Sequence, residues 1–83
     1  MEQKDNELLQ NLHRLHTTTL GEQRICRNLK RPEKGAALLQ YLKQQLSTAS
    51  IQKRGKNWYA ETRDAVITVN ASAYTVITAH LKK

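Results

Sequence analysis

Apolar residues recur at two different periods along this chain, and the change falls near residue 50. Leu8, Leu9, Leu12 and Leu15 follow Asp5, an acceptable N-cap, at helical spacing, which predicts an amphipathic helix over Asn6 to His16. Thr17-Thr18-Thr19 ends it. Thr19 with Glu22 reads as a capping box for a second helix, with Leu20, Ile25 and Leu29 turned inward and Arg24, Arg27 and Lys30 projecting. Pro32 marks the break, and Ala37, Leu38, Tyr41, Leu42 and Leu46 form the stripe of a third helix over Glu33 to Leu46, weakened near its start by Gly35.

Beyond the Ser47–Ser50 linker the period is two. Ile51 to Arg54, Asn57 to Thr62, Val66 to Asn70 and Tyr74 to Leu81 read as strands, joined by turns at Gly55 and at Arg63-Asp64. If Ala71-Ser72-Ala73 is the last loop, Asn70 lies opposite Tyr74, Thr68 opposite Val76 and Val66 opposite Thr78. One sheet face then takes Ile67, Val69, Ile77, Ala79 and Leu81 against Leu12, Leu38 and Leu42. The other takes Thr68, Asn70, Tyr74, Thr78 and His80, too polar to be buried without partners. The expected fold is α+β, with about three N-terminal helices packed on one face of a C-terminal four-stranded antiparallel sheet. Residues 1–83 are expected to form one domain, with 1–5 a flexible lead-in.

Charge adds a partner to this picture. Fourteen Lys and Arg against seven Asp and Glu give a net charge of +7, which makes nucleic acid, RNA before DNA, the first partner to consider. An acidic protein, such as an antitoxin, is the alternative. With no Phe, one Trp and three Tyr, the core rests on Leu, Ile, Val and Ala, and Trp58 is its largest anchor. A lone Cys26 precludes an internal disulfide, and no apolar run suits a signal peptide or membrane span, so a cytoplasmic protein is expected. His13, His16 and His80 lack carboxylates at ligand spacing, so neither a metal nor another cofactor is expected. Oligomeric state is open.

Candidate chemistry sits on the polar sheet face. His80, beside Thr78 and Asn70, is the candidate acid or base, because an imidazole titrates near neutrality; the plainer reading is a half-exposed residue at a strand end. Asn70 serves equally well as the start of a hairpin turn. Lys53, Arg54 and Lys56 around Gly55 can bring cationic groups to one phosphate, with Arg24 and Arg27 as a second patch; a solvated basic turn and a solvated helix face are the alternatives. Tyr59 and Tyr74 are the candidate stacking rings for a base. His16, near the first helix's end, is read as complementing its dipole.

These segments carry a resemblance. Thr17-x-x-Leu20-Gly21-x-x-Arg24-Ile25-x-Arg27-Asn28-Leu29, then Lys53-Arg54-Gly55-Lys56-Asn57-Trp58-Tyr59, then Ile67-Thr68-Val69-Asn70 with Tyr74-Thr75-Val76-Ile77-Thr78-Ala79-His80, resembles a family of short bacterial and archaeal proteins of unknown function. The likeness covers most of the chain after Leu8 and implies a natural folded domain without supplying an activity. More loosely, helices followed by a small basic sheet look like the compact ribonuclease toxins of the barnase, colicin and relaxed-control endonuclease group. That likeness implies a base that deprotonates a ribose 2′-hydroxyl and cations that stabilise the phosphorane. An RNA-cleaving protein of this kind is one expectation. A non-enzymatic, winged-helix-like module using the Arg63-Asp64 hairpin as wing, and a protein-docking inhibitor with a basic surface, are the others.

Overall fold

The alternation after residue 50 produces β1 (Ser50–Arg54), β2 (Asn57–Glu61), β3 (Ala65–Asn70) and β4 (Val76–Leu81), which pair antiparallel in the order β1-β2-β3-β4. The structure is a computed structural model that describes residues 7–30 and 32–82. Before the sheet come α1 (Glu7–Gln10), a 3-10 turn (Leu12–Arg14), α2 (Thr19–Leu29) and α3 (Ala36–Ser47). The chain is therefore α+β with its helices first. The expected Asp5 cap and the lead-in over residues 1–5 lie outside the described residues.

Helices and sheet share one core. Leu8, Leu15, Ile25, Leu29, Leu38, Leu42 and Leu46 meet Ile51, Trp58, Ala60, Ile67, Val69, Val76 and Ala79, all buried in one cluster. The strand register explains this membership, since Ile51, Ala60, Ile67 and Ala79 are consecutive partners across the sheet, as are Trp58, Val69 and Val76. Pleating puts each such row on one face.

Three departures from the expected layout have identifiable physical causes. The first helix stops early because the Asn11 side-chain amide donates to the Glu7 carbonyl, competing for the acceptor at the i−4 position. Downstream, His16 is drawn into an extended bridge with Thr75, its amide donating to the Tyr74 carbonyl and its carbonyl accepting from Val76 N–H. His16 thus extends the β4 edge and does not sit at a helix terminus. The second helix is capped by Thr18, whose hydroxyl accepts from Gly21 N–H at 3.0 Å, rather than by Thr19. Glu22 accepts from the Gly35 amide and makes no capping box. That shift leaves Leu20 67% exposed and gives its inward place to Gly21. In α3, Gly35 is the N-cap and Ala37 is exposed.

The third departure is a bulge. Thr68 pairs with Thr78 and Val69 with Val76, so Ile77 is the extra residue on β4. The predicted pairing of Thr68 with Val76 and of Val66 with Thr78 is displaced, and Val66 faces His80 instead. Consequently Ile77, expected in the core, is exposed at 37%, while Val76 takes the buried position; Leu81, also expected in the core, pairs with Ala65 at the end of β4 and is 41% exposed there. Leu12 is half-buried at the core margin.

Candidate functional site

The face of the sheet turned away from the helices is built by parity. Gln52, Tyr59, Thr68 and Thr78 are consecutive partners in one row, and Ser50, Glu61, Val66 and His80 in the next. Arg54, Asn57 and Asn70 form a third row at the end nearest the Gly55 turn. Tyr59 is 36% exposed, and its hydroxyl accepts from the Asn57 amide at 3.4 Å. Arg54 Nη2 donates to Gln52 Oε1 at 3.0 Å. At the opposite end Lys82 Nζ lies 2.8 Å from Glu61 Oε2 and donates to the Thr62 carbonyl at 3.0 Å. The Lys82 hydrogen bond, reinforced by its charge, holds the Glu61 carboxyl below its ordinary value.

Beside the Arg54 row lies a basin of about 400 Å³ lined by Lys53, Gly55, Lys56, Ala71 and Ser72. Gly55 enables it by turning the β1–β2 hairpin at φ 59°, a conformation without a Cβ penalty for glycine. The Ala71 amide donates to the Lys56 carbonyl at 2.7 Å, which ties the two hairpin loops together. Asn70 organises the second loop: its Oδ1 accepts from Ser72 N–H at 3.1 Å, Ala73 N–H at 2.9 Å and the Ser72 hydroxyl at 3.1 Å. Of its two sequence readings, the turn is where its side-chain oxygen is engaged.

The remaining predicted residues do not gather at one point. His80 and Thr78 are on the open face, but Asn70 stands four positions along β3 from His80's partner Val66, roughly 13 Å away at strand rise. Arg24 and Arg27 project from α2, whose Ile25 and Leu29 pack into the core on the helical side. Lys53, Arg54, Lys56 and Tyr59 do share one end of the sheet. Tyr74, expected on the polar face as a stacking ring, is a correction. It adopts φ 59°, which turns its ring into the core 5.3 Å from Trp58, with the Arg14 guanidinium 4.4 Å from the ring centre. It is 7% exposed and offers no free ring. Trp58 is buried, as its size suggested.

Three neighbours of this surface were missed in the sequence. Gln52 and Glu61 share parity with Tyr59 and were legible from alternation alone. Ser72 gave no such signal, because closure of the β3–β4 loop onto the Gly55 turn brings it to its place.

Among the described residues no helix is long and apolar enough to cross a membrane. A family model described as "Protein of unknown function (DUF3781)" matches residues 9–80. No curated protein and no solved structure matches the chain.

Proposed function

The chain belongs to this DUF3781 family of proteins of unknown function, and we propose that it binds single-stranded nucleic acid, RNA in the first place, on the open face of its sheet. The observation that carries the reading is the exposed Tyr59 ring set beside Arg54 and Gln52, with the Lys53–Lys56 basin at the same end. An aromatic face takes a base, and the cationic groups at the same end of the sheet take phosphates along the strand. Neither Lys53 nor Lys56 has an acidic partner among the described residues.

Shape favours a single strand over a duplex. Four strands span about 14 Å between outer axes before side chains are counted, too broad for a major groove of about 12 Å. Unstacked bases can lie across such a surface. The spread of His80, Asn70 and the α2 arginines supports binding over cleavage, since acid–base catalysis needs its groups within reach of one reacting atom.

Fluorescence anisotropy with a labelled single-stranded RNA tests this. Binding should weaken steeply with salt, and replacing Lys53, Arg54 and Lys56 together by Ala should flatten the slope of log affinity against log salt by about 2 units. Tyr59→Ala should cost about 1–3 kcal/mol and leave the slope alone. The RNA should be recovered intact. Failure to bind at any salt would sink the reading and favour an acidic protein partner. Cleavage to 2′,3′-cyclic phosphate ends that is lost in His80→Ala would replace it with the ribonuclease.

A further inference from the structure

A cavity of about 230 Å³ on the open face is lined by Ser50, Gln52, Arg54, Tyr59, Glu61 and Val66. Pockets for drug-sized ligands run to roughly 300–1,000 Å³, so this one suits a single planar ring system. Its polar groups sort by hydrogen-bonding sense. Arg54 can only donate, so the Gln52 atom that meets it at 3.0 Å is the amide oxygen, and the Gln52 amide nitrogen keeps two hydrogens for a ligand. That end of the cavity offers donors. At the other end Glu61, opposite Ser50 and beside Lys82, is a carboxylate that accepts. Tyr59 stands between them in the strand order, held by Asn57, and the half-buried Val66 gives an apolar floor.

We propose that this cavity is a guanine-selective base site, in which Tyr59 stacks on the ring, Glu61 accepts from the N1 and N2 hydrogens, and Gln52 with Arg54 donate to O6 and N7. The inference rests on the reading that the open face binds single-stranded RNA, and it names the base that is read there. Guanine places two acceptors on one edge and adjacent donors on the next, the complement of this lining. Adenine carries an amine where guanine has O6, so donors would meet donors. Uracil offers Glu61 a single N–H between two carbonyls. Cytosine has an amine for Glu61, but successive same-face positions are about 6.6 Å apart, and a two-ring base bridges the Gln52 and Glu61 rows better than a one-ring base.

The test uses the whole protein and four eight-residue oligouridine strands, one unaltered and three with a single central G, A or C, in anisotropy titrations at fixed salt. The G strand should bind about tenfold tighter or more than each of the others, the scale of one good bidentate base contact. An inosine strand, which lacks the N2 amine, should fall between G and A. Glu61→Gln should erase the preference, bringing the G strand level with the other three. Lys82→Met, which removes the ion pair but keeps the carboxylate, should retain it. Equal affinity for all four strands, a preference for C, or a guanine preference that survives Glu61→Gln would overturn the proposal while leaving RNA binding in place. Absence of binding to every strand would overturn both.

Discussion

A Cβ on Gly21 would fall 2.4 Å from Thr17 Oγ1, and that hydroxyl is not free to retreat because it donates to the Val76 carbonyl at 2.8 Å. Gly21→Ala gains up to about 1 kcal/mol of helix propensity, but forcing the contact costs about 1–3 kcal/mol. A net loss of stability is expected, read as a lower urea midpoint, and Thr17→Ala in the same chain should recover part of it. Asn70→Ala should cost about 1–2 kcal/mol through the loop hydrogen bonds it removes, and RNA affinity should change little while the loop stays folded. Glu61 carries a pH signature. Its folded pKa is lowered, chiefly by the Lys82 hydrogen bond, so its contribution to stability is complete above the ordinary carboxylate range and is lost as pH falls through the lowered value. In Lys82→Met the Glu61 titration, followed by NMR of its side-chain carboxyl carbon, should move up toward the ordinary value.

At the level of elements, the last strand divides what alternation can and cannot say. Ile67 and Val69 on β3 are buried, as the period of two requires. Ile77 obeys the same alternation and is exposed, because the bulge advances the register by one residue between Thr68 and Val69, whereas Leu81 keeps its parity and is exposed as the last residue of β4. A period carries no information about where it slips. Ile67→Ala should therefore destabilise by about 2–5 kcal/mol, whereas Ile77→Ala should stay within about 1 kcal/mol, closer to surface substitutions. Equal losses at the two positions, measured by chemical denaturation, would mean that the bulge is misplaced. Helix starts were legible to within a residue or a few, since Thr18 and Gly35 stand where caps are expected to cluster. The first helix was overestimated because four leucines at helical spacing do not reveal that the chain beyond Leu12 will pair with Tyr74 and Val76.

For the molecule as a whole, the layer arrangement separates two basic patches that lie on one chain with equal claims to a phosphate. Replacing Arg24 and Arg27 by Ala should leave the salt slope of RNA binding unchanged, while the Lys53, Arg54 and Lys56 change flattens it; anisotropy on both variants distinguishes the two surfaces. That the chain is α+β, that its helices precede a four-stranded antiparallel sheet and that Trp58 is a core anchor could all be read before folding. Each follows from spacing over a few residues, where helical and strand periods dictate which side chains are neighbours. That Tyr74 is buried, that His16 extends the β4 edge and that the α2 arginines stand behind the sheet depended on contacts between residues far apart in the chain. His16 and Thr75 are 59 residues apart, and such a contact is set by how layers stack and where a register slips, neither of which local periodicity encodes.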